Sequence, residues 1–94
     1  LGTKTPKVTG TLRVGETLTP VPGNWTPADT TFSYQWFRVN SKGKARAIPG
    51  AFAETYVLQP GDVGSKIKVT VTGKAPGYKT ASKASKATTA KVVA

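Results

Sequence analysis

Four acidic residues, Glu16, Asp29, Glu54 and Asp62, carry every side-chain carboxylate in this chain of 94 residues. Paired carboxylates hydrolyse glycosidic bonds when they flank the bond at a set separation. Here each acid sits in or beside a turn signal, and the chain has no His, Cys or Met to accompany them. Disulfide, zinc and thiol chemistry are thereby removed. Calcium would need six or more oxygens drawn from several carboxylates together, and the sequence holds no acidic cluster. An internal Lys–Asn isopeptide bond would need a buried lysine beside Asn24 or Asn40, plus a buried acid; both asparagines read as turn residues. The chain therefore reads as a non-enzyme without metal or cofactor. Asp62 is expected to cap a corner by accepting backbone N–H groups.

Aromatic rings and lysines are the remaining chemistry. In the stretch FSYQWFR, Phe32, Tyr34 and Trp36 share one face of a strand and Phe37 takes the other, because side chains alternate along a strand. Trp25 and Tyr78 each follow a glycine-bearing turn, and loop aromatics can serve as binding platforms. The charge is lopsided, with 14 basic against 4 acidic residues and a net charge of +10. Eleven of the basic residues are Lys, and seven of those follow Asp62, the last acid. Such a field attracts anions of any kind, including nucleic acid, anionic glycans and acidic surfaces. Lysine, however, is a well-hydrated point charge that lacks the bidentate geometry with which Arg reads phosphates and bases. With no basic run and no aromatic-basic signature, nucleic acid is the weakest of these partners.

The elements that position these groups are short and separated by turns. The length suits one domain, and no apolar run approaches the ~18 residues of a membrane helix. No signal peptide is visible, which leaves an upstream signal or neighbouring domain open. Turn signals recur every 8–12 residues, as they do in all-β sandwiches. A leading linker over 1–5 precedes a short strand around Val8. A second strand runs through Thr17 to Thr19 with Leu18 pointing inward. Phe32 to Val39 is the longest aromatic strand, and Asn40 to Ala45 is a polar hairpin loop around Gly43. Thr55 to Leu58 follows, then a corner at Pro60-Gly61. From Ser65 the chain alternates strictly: Ile67, Val69 and Val71 face one way, Lys66, Lys68, Thr70 and Thr72 the other. Pro76-Gly77 suits a type II turn, since Gly tolerates the positive φ required after Pro. Residues 80–94 read as a final strand, kinked or in part linker. The count of about seven strands implies a two-layer antiparallel sandwich.

The succession PKVTGTLRVGETLTP, GNW, YQWFR, AIPGA, TYVLQPGDVGSKIKVTVTG and APGY resembles a bacterial immunoglobulin-like repeat. Such repeats occur in secreted and wall-associated proteins of Gram-positive bacteria, particularly actinobacteria. The resemblance runs from Pro6 to about Val93 and is most specific in VGETL, YQW and the DVG corner with its alternating valines. It implies an extracellular immunoglobulin-like sandwich without the cystine of antibody domains. Leu18 and Val69 are expected to fill that place, with Trp36 as the core tryptophan packed on Leu18, Val69 and Tyr56. Tyr34, Leu58, Ile67 and Val71 complete the expected core.

Phe37 should then lie on an outer sheet face beside Lys66 and Lys68. These residues, with Trp25 and Tyr78, are the candidate ligand-binding groups: rings to stack on sugars, lysines to meet acidic groups. For Trp25 the favoured reading is closing one end of the sandwich, and for Phe37 it is cover by the Ala51-Phe52 loop or a neighbouring domain. The expected function is a spacer or adhesive module of an extracellular or wall-associated multidomain protein, near anionic polymers. The alternative is an accessory carbohydrate-binding module attached to a polysaccharide-degrading enzyme. The resemblance implies no activity of its own.

Overall fold

A computed structural model describes residues 1–94. The alternating segment forms the strand on which the rest is built. In chain order the strands are β1 (Lys7–Thr9), β2 (Thr17–Val21), β3 (Thr31–Val39), β4 (Ala45–Ala47), β5 (Tyr56–Val57), β6 (Lys66–Lys74) and β7 (Ala81–Ala84). A single 3₁₀ turn, Pro60–Asp62, marks the expected corner. The strands form two antiparallel sheets, β1-β2-β5 and β4-β3-β6-β7. This is the expected immunoglobulin-like sandwich of seven strands without a disulfide.

The β3–β6 ladder sets the frame. Nine positions pair, from Thr31 opposite Lys74 to Val39 opposite Lys66. Period-2 alternation on both strands sends Trp36, Ile67, Val69 and Val71 inward, and all four are fully buried. Leu18 comes from the facing sheet and is also fully buried, so Leu18 and Val69 occupy the core where a cystine is absent. Trp36 stacks on Tyr56 at 5.8 Å between centroids, and its Nε1 donates to the Ala53 carbonyl at 2.9 Å. Leu58 and Val92 complete the buried centre. Tyr34, expected in the core, is half-buried at its margin.

Asp62 is buried completely and does more than cap the corner. Its Oδ1 accepts from Arg38 Nε and Nη2, each at 2.7 Å. Its Oδ2 accepts from the Tyr56 hydroxyl at 2.5 Å and from the Gln59 N–H at 2.8 Å. Four donors saturate one carboxylate, which is what a buried charge requires. Arg38 shares the inward parity of Trp36, so β3 delivers a guanidinium to the side of the sandwich where β4 and β5 leave it open.

The two terminal segments are the ones that residue order leaves least defined. The 1–5 segment is tied to the domain: Gly2 and Thr26 exchange both backbone hydrogen bonds, each at 3.0 Å, and Pro6 is buried. The tail is a regular strand only over Ala81–Ala84. Beyond that, hydroxyls replace the carbonyls of a ladder. Val69 N–H donates to Ser85 Oγ at 3.0 Å and Ile67 N–H to Thr88 Oγ1 at 3.1 Å, while Ser85 N–H and Thr88 N–H return bonds to Val69 and Ile67. The chain then changes partners, and Val92 and Val93 form parallel bridges with Val63 and Arg13.

Candidate functional site

On the outer face of the four-stranded sheet, β3 presents Ser33 and Phe37, and β6 presents Lys66, Lys68, Thr70 and Thr72, all four half-buried. Phe37 is itself half-buried and sits opposite Lys68, whose Nζ lies 5.5 Å from the ring centroid. That is a cation–π contact, and the ammonium lies over a ring face that a ligand would otherwise use. Thr72 and Ser82 hydroxyls bond across to each other at 2.8 Å. Gln35 turns to the strand edge, where Nε2 reaches the carbonyls of Trp36, Ile48 and Ala51 at 2.8, 3.1 and 3.3 Å.

The remaining candidates do not join this face. Trp25 is 5% exposed and closes one pole, so it offers no ring face to a ligand. Its Nε1 donates to the Pro22 carbonyl at 2.8 Å, and its ring meets Phe32 edge-on at 5.4 Å. It also lies over Gly73, where an added Cβ would come within 2.8 Å of the indole. Tyr78 belongs to the same pole but is 54% exposed, on the turn closed by Tyr78 N–H to Ala75 C=O with Gly77 at φ 80°. Lys66 lies at the opposite end of β6 from both. Of the five candidates, only Phe37 and Lys68 touch.

The surface depressions lie elsewhere. Two are basic and flank the Asn40 hairpin: one of about 300 Å³ includes Lys66 and Lys91, and one of about 250 Å³ includes Arg38, Lys44 and Arg46. A third, of about 480 Å³, runs between β1 and the tail beside Lys7 and Lys86. A fourth, of about 330 Å³, follows the β4–β5 side beside Arg38 and Tyr56. A fifth, of about 520 Å³, is framed by Thr31, Phe32, Ser33, Tyr34, Phe52 and Glu54. None of the five contains two carboxylates, and none is lined by Phe37, Lys68, Trp25 or Tyr78. No three potential metal-ligating side chains come together anywhere.

The fifth depression is the one that sequence reasoning missed. Phe52 and Glu54 belong to a loop whose position is set from afar. Trp36 holds it on both sides of Phe52: its N–H donates to Ala51 and its Nε1 to Ala53. Burial, and then the nearby Glu54 carboxylate, push the Tyr34 hydroxyl above the usual tyrosine range. Neither a scan against protein-family models nor a search of curated proteins finds a match for this chain.

Proposed function

We propose that this domain is a non-catalytic immunoglobulin-like module of an extracellular or wall-associated multidomain protein, acting as a spacer or adhesive unit near anionic polymers. The observation that carries the reading is the placement of the two chain ends. Gly2 is bonded to Thr26, at the pole where Trp25 lies over Gly73 near the end of β6. Val92 is bonded to Gly64 and Ser65, just before β6 begins. The nine residues of β6 separate these anchor points by roughly 25–30 Å at ~3.3 Å per residue. The body extends 44 Å in its long direction and 24 and 22 Å in the others. Anchor points at opposite poles of an elongated body suit a unit that would hold flanking domains apart.

Charge supports the second half of the reading. The two depressions at the Asn40 hairpin contain four cations besides Arg38 and no acid, and the one buried acid near them is saturated by Arg38 and its companions. Attraction of this kind is screened by salt. The test is retention of the isolated domain in gels carrying anionic polymers, polygalacturonate and a polyphosphate, at low and high salt. The expected result is retention that vanishes by 0.5 M NaCl and is unchanged in Phe37→Ala and Tyr78→Ala. Retention that resists salt and is lost in Phe37→Ala would replace the reading with a sugar-stacking site on the outer sheet.

A further inference from the structure

We propose that the depression between the first half of β3 and the Ala51–Glu54 loop binds a neutral polysaccharide chain, with Phe52 and Tyr34 as stacking rings and Glu54 as a hydroxyl acceptor. The inference goes beyond the spacer reading and rests on it only in treating the domain as non-catalytic.

Phe52 is 65% exposed, more than any other large apolar residue in the chain. It is nonetheless held, because the residues on either side of it are bonded to Trp36. An exposed ring on a pinned backbone is pre-organised to offer its face to another molecule. Tyr34 and Phe32, half-buried on β3, continue the aromatic surface inward.

Unused polar groups surround these rings. The even-numbered residues of β3 direct their main-chain groups away from β6, towards the side where Arg38 pairs with Arg46. At Trp36 that side is taken by Ala51 and Ile48. At Phe32 and Tyr34 no strand or loop takes it, so two N–H and two C=O groups face the depression. The Tyr34 hydroxyl and the Glu54 carboxylate make no hydrogen bond within the protein, and the single ion pair of the chain lies elsewhere. Rings, a hydroxyl donor, a carboxylate acceptor and free main-chain groups are the chemistry that meets a sugar's C–H face and its hydroxyls.

Charge narrows the ligand. Among the five depressions this alone has an acid, and this alone lacks Lys and Arg, in a chain of net charge +10. An anionic polymer would be drawn to the hairpin and repelled here by Glu54. An extended peptide adding to the edge would find only two residues to pair with, since the Ala51 carbonyl already occupies the Trp36 N–H. The depression is shallow and open, so a chain can cross it.

The experiment is affinity electrophoresis of the folded domain through gels containing a β-glucan, a xylan or a mannan, in 0.5 M NaCl, with circular dichroism confirming the fold of each variant. The expected result is retardation in at least one neutral gel. Phe52→Ala should weaken it by about tenfold or more, and Tyr34→Phe and Glu54→Gln more modestly. Mobility unchanged in every neutral gel, or retardation that Phe52→Ala leaves intact, overturns the proposal. Self-association of the wild type in sedimentation, abolished by Phe52→Ala, overturns it in favour of a second copy on the β3 edge. High salt keeps this test separate from the anionic one: salt-sensitive retention indifferent to Phe52→Ala concerns the hairpin alone.

Discussion

Two tyrosines in this domain sit beside two carboxylates, and the pairs have opposite fates. Tyr56 and Asp62 are enclosed, and with Arg38 and the Gln59 N–H every lone pair direction of the carboxylate is used. Tyr34 and Glu54 face an open depression and leave their hydrogen bonds unmade within the protein. A buried polar group must find its partners inside the fold or cost several kcal/mol. A partly exposed one can leave them to water or to a ligand. The same two side-chain types therefore mark structure at one place and availability at the other, and burial decides which.

The widest contrast is between rings. Trp36→Ala should cost about 3–5 kcal/mol, as large-to-small core changes do, whereas Phe52→Ala should stay within about 0.5 kcal/mol, as for exposed positions. Denaturant midpoints check both, and a comparable loss at Phe52 would make it a packing residue. The two charged partners come next. Arg38→Met leaves Asp62 buried with half its donors and should cost about 3 kcal/mol or more, whereas Glu54→Gln should change stability by less than about 0.5 kcal/mol.

Alkaline pH tests the enclosed tyrosine without mutation. Burial and the hydrogen bond to Asp62 push the Tyr56 hydroxyl up to about 12 from its ordinary 10.0. The unfolded chain thus releases this proton first, and the stabilisation present below pH 10 is lost as pH rises towards 12. The loss should reach about 2–3 kcal/mol, measured by urea unfolding across that window, and Tyr56→Phe should flatten it. Tyr56→Phe itself should cost about 1–2 kcal/mol at neutral pH, from a carboxylate left short of one donor. Tyr34→Phe should be silent in the same assay.

Much of the frame could be read from residue order. Strict alternation after Ser65 placed β6 and its inward valines, and the Pro-Gly pairs placed the turns, because both are local effects. Trp36 as the core tryptophan followed from the resemblance to immunoglobulin-like repeats, and alternation put Phe32 and Tyr34 on its face. Arg38 lies on that face too, and a charge at inward parity is a signal that a carboxylate must meet it. Which acid does so depends on a contact 24 residues away, which no spacing encodes. Gly73 carries a similar message: a glycine continuing the series Ile67, Val69, Val71 leaves room for a large ring, and Trp25 fills it. The course of the tail beyond Ala84 could not be read from pattern, because Ser85 and Thr88 pair through side chains, which breaks the period of two. The Phe52–Glu54 depression was invisible because Trp36 and Gln35 position its loop by hydrogen bonds to carbonyls, and every residue has one of those.

The partner change at the end of the chain has a mechanical meaning. Val93 exchanges bonds with the Leu12–Val14 segment while Val92 does so with Gly64 and Ser65, and both bridges are parallel. Tension applied to the two chain ends pulls parallel segments past one another along their length. Their bonds then share the load at the same moment, where an antiparallel flap would open one bond at a time. The same few residues that spoil the regularity of the last strand thus fasten the end of the chain to two separate segments in a shearing geometry.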